Sequence, residues 1–245
     1  MGTYAIGDIH GHLSLLKGVH DLIAQDMGRH GPGQIVHVGD LVDRGPDSRG
    51  VVEFLRAGID AGQDWVVLKG NHDRMFLRFL KDPFEREPGL RADVGWMHPR
   101  LGGAATLASY GVHAPGDRPI EPVHQDAIKA VSATHRDFLA SRPTMHRVGD
   151  VVFVHAGINP TLSLTEQVED DLIWIRAPFL EYPGSFGPLI VHGHTAIDRP
   201  THYGNRVNID SSAAYGGPLS AIVIDGDGVF HLTEQGRVLL TPVRP

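Results

Sequence analysis

The chain has 245 residues with 22 basic and 29 acidic side chains, a net charge of −7, and no cysteine. That length suits one large domain with a core of its own, and the missing thiol excludes disulfide frameworks, thiolate zinc sites, iron–sulfur clusters and cysteine nucleophiles. The acidic balance disfavours a protein that grips nucleic acid through its phosphates, and no stretch approaches the ~20 apolar residues that cross a bilayer.

The first residues run directly into Thr3-Tyr4-Ala5-Ile6-Gly7-Asp8 without a basic and apolar leader, so a cytoplasmic location is expected. Strand-length, β-branched apolar runs follow at 35–38 and 65–68. Between them Leu15, Leu16, Val19, Leu22 and Ile23 recur at helical spacing with Gly28 as the stop, and Val51, Val52 and Leu55 with Gly58 repeat the pattern. Strand–helix–strand–helix predicts right-handed βαβ units and a largely parallel sheet. Residues 82–119 break the rhythm with frequent proline and glycine, from Pro83 and Pro88 to Gly116 and Pro119. They read as an irregular, helix-containing insertion over one end of the sheet and a candidate cap. A helix is expected over 125–139. From 147 the pattern turns to strands: a hairpin through Gly149-Asp150, then runs at 151–154, 189–191, 207–209 and 221–224, the last turning at Asp225-Gly226-Asp227-Gly228. The whole reads as a single α/β domain over residues 1–245 whose second half is strand-rich.

Chemistry gathers where these runs end. Ile6 leads into Gly7-Asp8-Ile9-His10, and Val38 into Gly39-Asp40-Leu41-Val42-Asp43-Arg44-Gly45. Leu68 leads, after Lys69, into Gly70-Asn71-His72-Asp73, Val154 into His155-Ala156-Gly157, and Val191 into His192-Gly193-His194-Thr195. Any one of these clusters would pass as turn chemistry. Five of them at five strand ends should converge on one crevice, because ligands of open α/β sheets bind beyond the carboxyl ends of the strands. Carboxylates, imidazoles and an amide without sulfur suit manganese, iron, zinc or magnesium. The donors outnumber those of one tetrahedral zinc, so the natural count is two metals ~3.5–4 Å apart, the spacing that serves in-line attack on phosphorus. Arg44 offers a planar fork for phosphate; Arg176 offers a second, or else snorkels at the surface. His12 and His192 lie nearest the expected crevice, while other histidines such as His37 read as scaffold. Glu169-Asp170-Asp171 reads as a solvated face or as the start of the stretch carrying Trp174 and Arg176; Trp65, Phe76 and Phe79 read as core.

Taken in order, these five motifs resemble the signature of the PPP-type, calcineurin-like metallophosphoesterases, a group that includes serine/threonine protein phosphatases, small bacterial phosphatases and symmetrical diadenosine tetraphosphatases. The resemblance runs from residue 4 to about residue 225. It implies two mixed β-sheets packed as a sandwich and flanked by helices, a four-layer fold. It implies that Asp8, His10 and Asp40 hold one metal and that Asp40 bridges to a second held by Asn71, His155 and His194. Manganese is foremost, with iron, zinc, magnesium or nickel as the other candidates. It implies that His72, paired with Asp43, is the general acid for the leaving oxygen, that Arg44, Arg176 and Asn71 bind the phosphate, and that Tyr215 resembles a family tyrosine near the site, though Tyr215 would equally serve as a core residue.

The resemblance further implies a phosphohydrolase working by in-line attack of a metal-bridging hydroxide. The acid at Asp43 and Thr195 after the last histidine tilt it toward phosphoserine and phosphothreonine in proteins. Asp73, where eukaryotic phosphatases have glutamate, matches bacterial relatives. The alternative keeps the metals and changes the substrate to a dinucleoside polyphosphate, with symmetrical cleavage of diadenosine tetraphosphate. A third reading, a catalytically silent, metal-stabilised interaction protein, is the weakest, because no ligand or acid position is lost. The expected partner is thus a phosphoprotein or nucleotide, with no membrane and no nucleic acid; the sequence leaves the oligomeric state open.

Overall fold

The structure is a computed structural model and describes residues 2–91 and 93–243. Eleven strands form two sheets among the described residues: β1 (Thr3–Ile6), β2 (Ile35–His37), β3 (Trp65–Val67), β4 (Met145–Val148), β5 (Val151–Val154), β6 (Leu189–His192), β7 (Thr201–His202), β8 (Arg206–Asn208), β9 (Ala221–Asp225), β10 (Gly228–Thr233) and β11 (Gly236–Leu239). Sheet A has the order β11-β10-β9-β1-β2-β3, with β1, β2 and β3 parallel, and sheet B the order β4-β5-β6-β8-β7, with β5, β6 and β8 parallel. Each therefore carries a parallel core of three strands bordered by antiparallel ones.

Period-two alternation explains the layering. Ala5, Val36, Val38 and Leu68 face Phe153, Val191 and Val207 across the two sheets in one apolar cluster. Their neighbours Tyr4, Ile6 and Ile35 turn to the other side, against α1 (Leu13–His30), α2 (Ser48–Asp60) and α3 (Asn71–Lys81). That side also holds α4 (Gly103–Ser109), α5 (Ile120–Ala130) and α6 (Ala133–Ala140). On the outer face of sheet B, Val152, Val154 and Ile190 meet Leu172, Ile173 and Phe179 of α7 (Glu169–Trp174) and α8 (Ala177–Leu180). The result is helix, sheet, sheet, helix, the four layers expected. Among the described residues no helix is long and apolar enough to cross a membrane.

Several boundaries differ from the sequence reading. The single helix expected over 125–139 is two, because Val131 is extended and Ser132 caps α6 by accepting the His135 N–H at 3.2 Å. Gly28 lies inside α1, which ends at His30. Asn71, His72 and Asp73, read as a turn, open α3, where the Asp73 carboxylate accepts the N–H groups of Gly70 (2.8 Å) and Leu41 (2.9 Å) and so ties two motifs together. Segment 82–119 contains α4 amid turns; Ala92 within it lies outside the described residues. Glu169, Asp170 and Asp171 form the first turn of α7, where acids complement the helix dipole.

One buried pair makes stability pH-dependent. His20 and His37 meet Nε2 to Nε2 at 3.0 Å beside Trp65, and burial pulls their pKa values down to about 4 and about 3 respectively. Both folded values lie below the unfolded one, so the unfolded chain takes up protons that the folded chain refuses. The stability is present above about pH 6.5 and is lost as the pH falls toward 4. At about 1.4 kcal/mol per pKa unit, His20 alone accounts for on the order of 3 kcal/mol. Thermal midpoints measured from pH 7 to pH 4 should fall, and fall less steeply in His20→Gln; an unchanged slope in that variant would refute the assignment.

Candidate active site

The loops leaving the carboxyl ends of the two parallel cores meet at one point: β1 delivers Asp8 and His10, β2 Asp40, Asp43 and Arg44, β3 Asn71 and His72, β5 His155, and β6 His194. Backbone bonds lock them across the sheets. The Asp40 carbonyl accepts the N–H groups of Ile9 (3.1 Å) and His10 (2.8 Å), Gly193 N–H donates to the His155 carbonyl (2.8 Å), and His194 N–H donates to Asp8 Oδ2 (2.9 Å). The geometry is strained where the chemistry sits: His10, Asp40, Asp43, Arg44 and His194 all have positive φ, between 44° and 76°. Such left-handed non-glycine residues concentrate at functional sites. Gly70 is required by close approach, since a Cβ there would overlap the Asp40 carboxylate.

Asp40 lies at the centre. Its Oδ2 is 3.4 Å from His10 Nε2, and its Oδ1 is 3.4 Å from His155 Nε2 and accepts the His72 backbone N–H at 3.0 Å. One carboxylate thus turns one oxygen to each half of the site. His10, Asp40 and His72 form one group of donor atoms within 4.8 Å of each other, and Asp40, His155 and His194 a second. Asn71 Oδ1 joins the second group, 2.9 Å from His155 Nε2 and 3.0 Å from His194 Nδ1. In the first group His72 stands where the resemblance puts Asp8, which approaches through its buried carboxylate, with Oδ1 unpartnered.

These donors fit cations for a reason visible in their tautomers. His155 Nδ1 donates to the Val38 carbonyl and His10 Nδ1 to the Val42 carbonyl, and burial holds both rings neutral by depressing their pKa values. Each therefore presents a lone pair at Nε2. His155 Nε2 then faces the Asn71 oxygen, acceptor against acceptor, with no proton between them, an arrangement that a cation resolves. The carboxylates agree. Burial, with Asp210 and Asp40 adding repulsion, raises the pKa of Asp8, and burial raises that of Asp73. Burial acts the same way on Asp40, yet the surrounding imidazoles of His155, His72, His10 and His194 draw its pKa below the usual carboxylate range to whatever extent they are protonated.

His72 is held separately. Its Nδ1 donates to Asp43 Oδ2 at 2.6 Å, and that carboxylate also accepts from Trp96 Nε1 (2.8 Å) and Thr106 Oγ1 (2.7 Å). Trp96 and Thr106 come from segment 82–119, so this insertion helps to fix the ring. Arg44 Nη1 donates to His10 Nε2 at 2.6 Å, and Arg176 Nη1 to Thr195 Oγ1 at 3.2 Å. Tyr215 is exposed rather than core, with the Arg44 guanidinium 5.1 Å from its ring centre. Arg44, Arg176, Trp174, Tyr215, Leu90 and Leu101 wall a cavity of about 180 Å³ over the donor cluster. A larger, mainly apolar cavity of about 790 Å³ between α1 and α2 is lined by His20, Asp21 and Glu53 among its apolar residues and by none of the strand-end donors.

Sequence reasoning missed Asp210, which follows β8 at a sixth strand end, lines the cavity and is pushed up to about 6 by burial and the nearby Asp40. The signal was present, since Ile209-Asp210 repeats the apolar-then-acid pattern. It also missed Trp96 as a partner of Asp43, which no spacing could reveal. His12 and His192 do not line the cavity; His12 precedes α1, and His192 is fully buried against Phe179.

Two facing parallel cores whose loops pool carboxylates, neutral imidazoles and arginine forks define a metal-dependent phosphoesterase. The sequence pattern of the calcineurin-like phosphoesterase family matches residues 1–224, and the chain belongs to that family. It is 26% identical over 238 residues to the asymmetrical bis(5'-nucleosyl)-tetraphosphatase PrpE of Bacillus subtilis, covering 88% of this chain and 87% of that one. Identity to serine/threonine-protein phosphatase 1 of Salmonella typhimurium reaches 40%, but over 79 residues, 31% of each chain. The crystal structure of a putative diadenosine tetraphosphatase superposes with a TM-score of 0.63 at 23% identity, covering 98% of this chain and 94% of that one. The near-full-length relative thus favours the dinucleoside polyphosphate alternative over the phosphoprotein reading drawn from Asp43 and Thr195. The physical reason is that Asp43 supports His72 and Thr195 contacts Arg176; both belong to the phosphate chemistry and say little about what the phosphate is attached to.

Proposed function

We propose that this protein hydrolyses dinucleoside polyphosphates, cutting at a phosphorus that directly bears a nucleoside. The observation that carries this reading is the narrow cavity itself: Trp174 and the exposed Tyr215 ring wall the same 180 Å³ space as the donor cluster. An aromatic ring beside the donor cluster suits a nucleobase carried by the reacting phosphate, and stacking of this kind contributes roughly 1–3 kcal/mol per base. The resemblance to whole-length tetraphosphatases supports the same substrate class.

In this mechanism Asp8, His10 and Asp40 would hold one divalent cation, and Asp40, Asn71, His155 and His194 a second, with manganese foremost. Bound there, such cations supply Lewis acidity toward phosphoryl oxygens and lower the pKa of water. Arg44 and Arg176 converge on the non-attacked oxygens with their forks, a geometry suited to phosphate. His72 Nε2 points to the site while Nδ1 is engaged by Asp43, so the ring carries a proton to the leaving oxygen. The apolar side chains of Leu90 and Leu101 on the cavity wall limit water around the reacting group.

The test is a comparison of diadenosine tetraphosphate, a phosphothreonine peptide and p-nitrophenyl phosphate with the manganese-loaded protein. The dinucleotide should show the highest kcat/KM and yield a nucleoside monophosphate plus a triphosphate. Tyr215→Ala should lower kcat/KM for the dinucleotide by about 5- to 100-fold and leave p-nitrophenyl phosphate within about twofold. Dominance of the peptide would instead support the phosphoprotein reading, which the 40% identity over 79 residues keeps in view.

A further inference from the structure

A buried cation with no counter-charge lies on the outer face of sheet B. Arg206, in β8, is only 9% exposed. Its guanidinium is stacked 4.1 Å from the ring centre of Tyr203 and lies 5.8 Å from that of Phe179. Nε has no hydrogen-bond partner, and Nη1 reaches Asn205 Oδ1 at a long 3.3 Å. Among the described residues no carboxylate offsets the burial that pulls its pKa down. The guanidinium borders a cavity of about 700 Å³ whose walls include Tyr182, Tyr203, Leu180 and Glu181, and Glu181 makes no ion pair with it. This cavity shares no wall with the metal-ligand cavity.

We propose that Arg206 anchors a second ligand site, separate from the reaction centre, which takes the phosphate or carboxylate oxyanion of a small molecule. Burying a charge is costly unless an opposite charge or good hydrogen bonds accompany it; by contrast Arg74 binds Glu87 and Asp170, and Arg237 binds Asp26 and Asp225. Stacking on Tyr203 satisfies the face of the guanidinium and leaves its edge, where Nε–H is unpartnered though shielded from solvent, to form the two-point bond that oxyanions accept. The volume admits a body well beyond the anion itself. Leu180, on the cavity wall, closes the short helix that begins just after Arg176, so an occupant would lie one helix away from a substrate-facing arginine.

The metal-loaded protein with ¹⁵N-labelled arginine tests this, the Arg206 Nε–Hε signal being assigned by its loss in Arg206→Met. Phosphate, AMP and citrate are titrated at constant ionic strength against sodium chloride. The signal is expected to shift saturably with a Kd of about 1 mM or tighter, the phosphate and citrate arms telling phosphoryl from carboxylate recognition. By equilibrium dialysis Arg206→Met should bind one anion fewer per chain than the wild type while keeping the anion at the metal site. A signal that none of the three moves at about 10 mM, or equal stoichiometry in the two proteins, would overturn the proposal.

Discussion

Replacing His72 with asparagine is expected to lower kcat for a dinucleotide by roughly 10²- to 10⁴-fold, the range of positioned general-acid catalysis, while metal content stays at the wild-type level. The ring is the only imidazole of the cluster whose Nδ1 is bound to a carboxylate, Asp43, rather than to a backbone carbonyl or an amide oxygen. In the proposed mechanism that contact suits it to carry a proton, in contrast to the rings of His10 and His155, whose Nδ1 atoms face backbone carbonyls. The loss should be larger with phenyl phosphate than with p-nitrophenyl phosphate, whose leaving group needs less protonation. The competing role is equally concrete, because His72 lies within 4.8 Å of His10 and Asp40 donor atoms: a variant that loses metal in proportion to activity would make it a ligand. Asp43→Asn should cost about 10²-fold through misplacement of the ring. It should also cost about 1–3 kcal/mol of stability, because three donors converge on that carboxylate and an amide has only one oxygen to offer.

Chelation is expected to lower the thermal midpoint substantially. Asp8, Asp40, Asp73 and Asp210 are all buried within one small region, and bound cations neutralise repulsion that otherwise opposes folding. A metal present at a hundred times its Kd stabilises by about 2.7 kcal/mol, and a chain of this size shifts roughly 2–4 °C per kcal/mol, so a drop of roughly 5–11 °C should appear in scanning calorimetry on adding EDTA. The pH dependence has a definite sign. The Asp210 pKa is raised to about 6, above its unfolded value, so its destabilising charge is present above pH 6 and relieved as the pH falls through 6. The gap between metal-loaded and chelated protein should therefore narrow on acidification. Asp40→Asn, which removes the group facing both donor clusters, should abolish most of the metal-dependent shift. Equal midpoints with and without chelator in the wild type would remove the basis for the two-cation assignment.

Much of this site is written locally. A strand end followed by glycine and an acid or histidine is a short-range pattern, and residues 7–10, 39–45, 70–73, 155–157 and 193–195 carry it within a few positions each. Alternation within strands likewise assigns Tyr4 and Ile6 to one face and Ala5 to the other, because side chains of a strand point to opposite sides in turn. What the letters left open were the pairings made by distant segments. Trp96 reaching Asp43 across 53 positions, Asp210 joining the acids through β8, and Arg206 enclosed without a counter-charge depend on how sheets and insertion are stacked. The substrate class is not decided by sequence alone for the same reason. Spacing along the chain reports which groups can act on a phosphate, whereas the shape left between Trp174 and Tyr215 exists only once remote loops have packed, and that shape governs what can be attached to it.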